Sequence, residues 1–597
     1  MLVSMCQINT TPNDFVGNCL KIKDGIRQAV KSKSNIVIFP ELTIPGYSVK
    51  DLVYTNNFIE NNLSALKEIC DFSNDITSDI TCKDMHIVVG YIGKNTNGVG
   101  KPFTNMAAVI KNGHVIATYQ KHLLPFYDVF DEGRYFEPGT ELTVIEIEGE
   151  KFGITICEDV WNDKGQDDYS YEDNPLSSYR KLGIRNIINL SSSPYAAGKP
   201  WTRYVMLGKV TEETNMTMFY CNQYGGQDEL VFDGKSCVMR GGRLLQLAHT
   251  KLDPKIGSSE IVVMTFDTML GGGFVDFNKE AENDHYKMTL LGLHDYVFKS
   301  GFKNVVLGSS GGIDSALVAA LACQAIGPEN VHCIMMPSIY SSEGSVADAK
   351  QLHKNLGCQE HLVTIKHEDL MHHINCSLGF EQAKLSTHSQ NLEYKQLKDY
   401  NTVADENLQA RMRGQIVMHY SNATGALPLT TGNKTELAVG YCTLYGDMNG
   451  GFNPIGDLYK MQVYEMSRKI NNLNGKEIIP IAIIDKAPSA ELKPGQTDEA
   501  SLLPYPILDR IVQVFIENKI NDLEEFISVI KKSNVNTIDS ILKWYANKEE
   551  ALKNYNRIKK LIYNAEFKRR QSAPIIKLSR VAFGTGRRIP IVKGTIK

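Results

Sequence analysis

Glu41, Lys121 and Cys157 each close a short strand-like run, in "NIVIFPE", "HVIATYQK" and "KFGITIC". Together these residue types can do covalent chemistry. A thiolate is a strong nucleophile, and a nearby ammonium favours it by charge. A carboxylate within reach can take the thiol proton and return it to a leaving amine. The lysine can also steady the negative oxygen of a tetrahedral intermediate. Such a set suits attack on an amide or nitrile carbon. Singly, each residue is ordinary: most free cysteines are small core residues, and an acid or lysine after a strand is commonly solvated.

The elements around them decide whether they can meet. Further strand-like runs occur in "NIINLSSSP" and in "MTMFYCNQYGG", which delivers Asn222, with helix-like segments at 17–33 and 201–214. Strands interleaved with helices predict layered α/β packing, in which reactive residues gather where strands end. The segments "FPELTIPGY", "YQKHLLPFYDVFDEGRYF" and "GITICEDVW", in this order, resemble the three catalytic motifs of the nitrilase/amidase superfamily. The resemblance implies a four-layer α-β-β-α sandwich, with Glu41 as general base, Lys121 stabilising the oxyanion and Cys157 as nucleophile. It further implies that Tyr127, Ser193 and Lys199 hold glutamine, as in the glutaminase branch, and that Glu132 supports the site. Glu229 is equally open to a supporting or a turn-forming role. Glu158 and Asp159, directly after the thiol, are expected to point away from it or to bind backbone donors.

The second half carries a different device. "FKNVVLGSSGGIDSALVAALACQAIG" (302–327) reads strand, glycine-rich loop, helix. Exposed backbone N–H groups and a helix N-terminus make an anion site there, most suitably for pyrophosphate. No lysine follows as a Walker A loop requires, and the dinucleotide pattern G-x-G-x-x-G is missing. Asp314 and Ser315 also stand where a helix is capped. The run S-G-G-I-D-S nevertheless resembles the PP-loop of ATP pyrophosphatases. Strands at "NVHCIMMPS" and "HLVTIKH", separated by a helix over 345–355, predict a doubly wound parallel sheet.

Four later stretches, "ENLQARMRGQIVMHYS", "LTTGNKTELAVGYCTLYGDMNGGFNPIGDLYK", "PSAELKPGQTDE" and "FKRRQSAPIIK", are similar to the NAD synthetases. With the amidase-like half in front, nearly the whole chain resembles the glutamine-dependent members of that family. The resemblance implies a glutaminase domain over 1–275 and a synthetase domain over 276–597, the latter with a helical C-terminal region. It implies ATP binding by Gly308, Ser309, Ser310, Gly311, Gly312, Ile313, Asp314, Ser315 and Thr431. Deamido-NAD would contact Asn407, Glu436, Asp447 and Lys568, and magnesium would sit on Asp314 and Glu436. The implied partners are glutamine, ATP and deamido-NAD, and the implied assembly is a homo-oligomer built on synthetase-domain dimers. Ammonia passing between the two sites would need a protected path, because in water it largely protonates.

Size and composition fit this reading. At 597 residues the chain exceeds a single core. A net charge of −4 gives no electrostatic reason to expect nucleic acid or an anionic membrane. The 12 cysteines never form a C-x-x-C pair, which disfavours a zinc ribbon and suits a reduced, cytoplasmic setting. The histidines of "HEDLMHHINC" (His367, His372, His373) are expected on a solvated helix face. The hinge between the halves is expected within 267–286, and the chain beyond Leu503 reads as helical. Two other readings compete: another PP-loop amidotransferase or RNA-modifying enzyme, and a scaffold that keeps these folds without activity.

Overall fold

The computed structural model describes residues 1–77, 84–161, 171–249, 252–253, 257–258, 261–272, 275–276, 284–386, 392–396, 401–493, 495–498, 502–533 and 536–594. The chain divides into two units, Met1–Lys299 and Ser300–Lys597.

Alternation of side chains builds the first unit. One six-stranded sheet runs β16 (Ile261–Asp267), β1 (Leu2–Ile8), β2 (Ile36–Ile38), β3 (His86–Lys94), β4 (Phe103–Lys111) and β5 (His114–Gln120). Val3 and Met5 of β1 face inward with Ile36, Ile38 and Val88, against Phe152, Ile154, Ile188 and Phe219 of the other sheet. Cys6, Ile8, Val37, Ile87 and Val89 face outward against α1 (Phe15–Lys31) and α2 (Phe58–Thr77). Burial on both faces makes these strands almost continuously apolar.

The second sheet runs β13 (Arg243–Leu247), β12 (Cys237–Arg240), β9 (Thr217–Asn222), β8 (Asn186–Ser191), β7 (Glu150–Ile156) and β6 (Val144–Ile147). Tyr179 of α3 (Pro175–Lys181) and Tyr204 and Leu207 of α4 (Lys199–Thr214) cover its outer face. The four layers α-β-β-α expected from the sequence are thus present. A hairpin, β10 (Tyr224–Gln227) and β11 (Leu230–Asp233), and a short pair, β14 (Leu252–Asp253) and β15 (Gly257–Ser258), complete the strands.

The unit extends past the boundary expected at 275. Helix α5 (His285–Lys299) packs on the β10–β11 hairpin. A Cβ on Gly226 would meet Gly292 Cα at 3.0 Å, so two glycines permit this close approach. Asp295, buried in α5, accepts from Gly226 N (2.7 Å) and Asn9 Nδ2 (2.8 Å). These contacts place α5 with the first unit. The hinge expected within 267–286 lies partly outside the described residues.

The second unit holds a parallel sheet ordered β19 (Gln359–Leu362), β18 (Val331–Met335), β17 (Val305–Gly308) and β22 (Leu427–Pro428). Helices α6 (Ile313–Ile326) and α7 (Glu343–Leu356) pack on one face. Val417 of α9 (Val403–Thr424) packs on the other with Val306, Ile334 and Met336, giving the doubly wound arrangement. The strand expected in "HLVTIKH" starts earlier and stops at Leu362.

Helix α8 (His367–Ser377) corrects the expected solvated histidine face. His367 is buried, and His372 Nδ1 lies 2.8 Å from Glu381 of the hairpin β20 (Glu381–Leu385) and β21 (Leu392–Gln396). Only His373 of the three is exposed, because α8 packs on both the hairpin and α9.

Beyond Leu503, α12 (Tyr505–Glu517), α13 (Leu523–Lys532), α14 (Ile538–Tyr545) and α15 (Lys548–Asn564) share a core that includes Leu508, Phe515, Phe526, Ile541 and Tyr555. The short helix α10 (Lys434–Val439) and the longer α11 (Lys460–Asn474) lie earlier in the chain. Among the described residues no helix is long and apolar enough to cross a membrane.

Two candidate active sites

In the first unit, β2 and β5 of one sheet and β7 of the other lead into Glu41, Lys121 and Cys157. All three are buried, at 1%, 0% and 4% exposure. Lys121 Nζ donates to Glu41 Oε1 at 2.6 Å and to both oxygens of Glu132 at 2.8 Å. Asn105 Nδ2 and the Ser192 backbone N–H also donate to Glu41, at 2.8 and 3.1 Å. The carboxylate is therefore held in one orientation. Glu132, expected to support the site, meets Glu41 through the shared Lys121 ammonium.

Cys157 opens a 3₁₀ turn with φ +43°, in the left-handed region that a non-glycine residue seldom adopts. Asp159 fixes that turn by accepting from Ile156 N (2.8 Å), Leu123 N (2.9 Å), His122 N (3.2 Å) and Tyr119 Oη (2.9 Å). It binds backbone donors, as expected.

Burial pushes the Cys157 thiol well above its ordinary range, Glu41 adds to the rise, and Lys121 opposes it. The lysine acts in the expected direction but is outweighed, so the resting thiol is protonated and Glu41 is placed to take its proton. Burial alone would depress the Lys121 ammonium, but Glu132 and Glu41 outweigh it and hold it well above its usual value. Burial pushes Glu132 up to about 7 despite Lys121.

Tyr127 Oη donates to both oxygens of Glu158 at 3.0 Å, and Tyr171 Oη donates at 2.9 Å. Lys199 lies over the Trp161 ring at 4.2 Å, and its charge acts on Glu158. Tyr127 and Lys199 thus meet around the acid next to the nucleophile. Ser193 follows Ser192, which holds Glu41, and its backbone N–H donates to Asn222 Oδ1 at 2.9 Å. Glu229 sits in the β10–β11 turn, where its charged neighbours are Lys50 and Asp228.

In the second unit, a cavity of about 570 Å³ opens at the C-terminal ends of the parallel strands. It gathers the whole 308–315 loop, Thr431, Asn407, Glu436, Asp447 and Lys568. Gly311 has φ +76°, and a Cβ there would meet Ser345 O at 2.2 Å, so only glycine fits this turn. Ser315 caps locally, donating to Gly312 O at 3.1 Å and accepting from Ser310 N at 3.3 Å. Ser309 Oγ lies 2.9 Å from His353 Nε2.

Asp314 and Glu436 share a partner that the sequence reading missed. Lys460, the first residue of α11, places Nζ 2.5 Å from Asp314 Oδ2 and 3.1 Å from Glu436 Oε1. Its one sequence signal was its place at the end of "GDLYK". Burial pushes Glu436 up to about 8, because Lys460 does not offset burial and the charge of Asp314. The donors this pair offers are carboxylate oxygens. This donor set fits a hard divalent cation.

The remaining residues cluster around 440–447. Thr443 links Asn407 and Asp447, donating from Oγ1 to the former and from N to the latter, each at 2.7 Å. Lys568 Nζ donates to Gly440 O (2.8 Å) and Cys442 O (2.7 Å). Burial pushes Asp447 up to about 6, against the Thr443 N–H and Lys568.

Residues 2–240 match the carbon-nitrogen hydrolase family and residues 285–551 the NAD synthase family. The chain is 36% identical to glutamine-dependent NAD(+) synthetase of Thermotoga maritima, covering 99% of this chain and 98% of that one. It is 35% identical to the corresponding synthetase of Aquifex aeolicus, covering 100% of each chain. The solved glutamine-dependent NAD+ synthetase of Acinetobacter baumannii, in complex with ADP, aligns at a TM-score of 0.68 and 32% identity, covering 99% of this chain and 98% of that one. That of Cytophaga hutchinsonii, at 20% identity and a TM-score of 0.75 over 99% of this chain and 98% of that one, shares the fold. With its thiol site in one unit and its phosphate loop in the other, the chain belongs to the glutamine-dependent NAD(+) synthetases.

Proposed function

We propose that the first unit hydrolyses glutamine and that the second uses the ammonia and ATP to convert deamido-NAD to NAD. Glu41 takes the Cys157 proton as sulfur attacks the side-chain carboxamide carbon of glutamine. Lys121 stabilises the oxyanion, and Glu41 passes the proton to the departing ammonia. Water, activated by Glu41, then cleaves the thioester to glutamate. Tyr127, Ser193 and Lys199 orient the amino-acid end of the substrate.

In the second unit the N–H groups of 308–315 and Thr431 bind the ATP phosphates. Asn407, Glu436, Asp447 and Lys568 contact deamido-NAD, whose carboxylate attacks the α-phosphorus as pyrophosphate leaves. Ammonia attacks the acyl adenylate, AMP departs, and the amide of NAD remains. Asp314 and Glu436 would hold magnesium, which supplies charge neutralisation at the phosphates. Lys460 orients these two carboxylates and adds a further positive charge.

The observation that carries this reading is the gathering of the phosphate loop with Asn407, Glu436, Asp447 and Lys568 in one cavity. We place the enzyme in the cytoplasm as a homo-oligomer built on dimers of the second unit, which light scattering on the purified protein would check. The activity is tested with deamido-NAD, ATP, magnesium and glutamine, following NAD, AMP and pyrophosphate. Cys157→Ala should lose NAD formation from glutamine and keep it from ammonium salt. Glutamine hydrolysis without NAD formation under either nitrogen source would overturn the assignment of the second site.

A further inference from the structure

The parallel sheet of the second unit carries a second cluster of donor atoms, away from the cavity. On β18, His332 and Ile334 alternate toward the face that α9 covers, with Met336 just past the strand end packed there too. His361 of the edge strand β19 pairs with Ile334 in register, which sets it diagonal to His332 on that face. Tyr420, near the C-terminal end of α9, comes down between the two rings. Three elements distant in sequence thus bring three donor atoms together.

The atoms form a closed triangle. His332 Nδ1 lies 3.3 Å from His361 Nε2, and Tyr420 Oη lies 2.9 Å from the first and 3.2 Å from the second. Protons cannot satisfy all three edges. Each ring nitrogen offers one in-plane proton or one lone pair, and the phenol has one proton. The phenol can donate to one imidazole and accept from the other, which leaves the nitrogen–nitrogen edge as bare contact.

A single ion satisfies all three atoms at once. Zinc binds imidazole nitrogen at about 2.0–2.1 Å, so two donors on a tetrahedral zinc stand about 3.3–3.4 Å apart. A triangle with the observed edges has a point just out of its plane at about that bond length from every corner. Two imidazoles and a phenol select borderline transition ions over magnesium or calcium, which prefer all-oxygen sets. Among the described residues no three His, Cys, Asp or Glu side chains are grouped for a metal; here the third donor is a tyrosine.

We propose that His332, His361 and Tyr420 form a three-ligand site for a divalent transition-metal ion, zinc above all, with a fourth position open to solvent. On binding, the Tyr420 phenol gives up its proton to solvent and ligates as phenolate. The ion clips the edge strand β19 to β18 and to the end of α9. It acts on the stability of the sheet and takes no part in the chemistry at the cavity, which none of the three residues lines.

The test uses the tag-free full-length protein. Zinc is titrated by calorimetry with magnesium in excess, cobalt binding is followed by visible absorption, and the thermal midpoint is read with and without zinc. The wild type should bind one zinc that raises its midpoint, and cobalt should give the intense bands of a tetrahedral site. His332→Gln with His361→Gln should lose that zinc, the cobalt bands and the midpoint rise, while keeping NAD formation. Tyr420→Phe, which keeps the ring packing, should weaken zinc binding at least tenfold and serves if the double variant fails to fold. Cys358→Ser, a nearby thiol, should bind as the wild type does. Unchanged zinc binding in the histidine or tyrosine variants, or none in the wild type, overturns the site.

Discussion

The carboxylate of Asp159 reaches the backbone N–H of Leu123 at 2.9 Å, while its other oxygen takes the N–H of Ile156 at 2.8 Å. One buried side chain thus pins the segment that follows Lys121 to the turn that carries Cys157. Asp159→Asn keeps the shape but replaces one acceptor by a donor facing an N–H. It should cost about 1–3 kcal/mol of stability and lower glutamine-dependent NAD formation by a factor of about 10–100. Ammonium-dependent NAD formation should not change. Equal loss with both nitrogen sources would show that Asp159 does not act by placing the nucleophile.

Lys121 is the cation between two buried carboxylates. Lys121→Met leaves Glu41 and Glu132 facing each other, and breaking such a pair costs about 3–5 kcal/mol. The expected outcome is no glutamine hydrolysis and a lowered thermal midpoint. Adding Glu132→Gln should restore much of the stability and none of the activity.

Gly311 has no room for a side chain, since a Cβ would meet the Ser345 carbonyl at 2.2 Å. Gly311→Ala should displace the loop and reduce NAD formation from glutamine and from ammonium alike, by at least a factor of about 100. Formation of the Cys157 thioester, trapped by mass spectrometry with a reactive glutamine analogue, should persist.

Asp447 gives a signed pH prediction. Burial raises its folded value from 3.8 to about 6, so between these values the folded state holds the proton more tightly than the unfolded one. Its contribution to stability is favourable at low pH and is lost as pH rises through about 6. The penalty at full ionisation is roughly 3 kcal/mol. Asp447→Asn should therefore stabilise the ligand-free protein at pH 7.5 and have little effect at pH 3.5, while impairing NAD formation. A stability change independent of pH would remove the assignment of strain to this carboxylate.

Glu41, Lys121 and Cys157, the residues proposed as catalytic, stood out because three ordered motifs resemble those of the nitrilase/amidase superfamily; a strand end alone is a weak local pattern. Layered α/β packing and the parallel sheet followed from the alternation of runs, while the four-layer form was implied by the resemblance to the nitrilase/amidase superfamily. Asn105 and Lys460 were not legible, since their roles arise from partners brought up by folding; Lys460 meets a carboxylate 146 positions away. Glycine-rich and acidic composition suggested a boundary near 275, but the contacts of Asp295 with Asn9 and Gly226 carry the first unit to Lys299. Similarly, "HEDLMHHINC" looked solvated because nothing local marks the hairpin and helix that cover it.

The close seat of α5 on its hairpin bears on how such a chain came to be and how it can be cut. Sequence kinship with the NAD synthases begins at residue 285, at the start of this helix, yet the helix folds with the thiol-bearing unit. The stretch that carries the NAD synthase likeness thus opens with a helix that packs on the hairpin of the first unit. Severing the gene where the family likeness begins would leave Gly226 and Asn9 without Asp295, and would hand the remaining half a helix whose apolar face belongs elsewhere. Heredity and architecture draw their borders one helix apart.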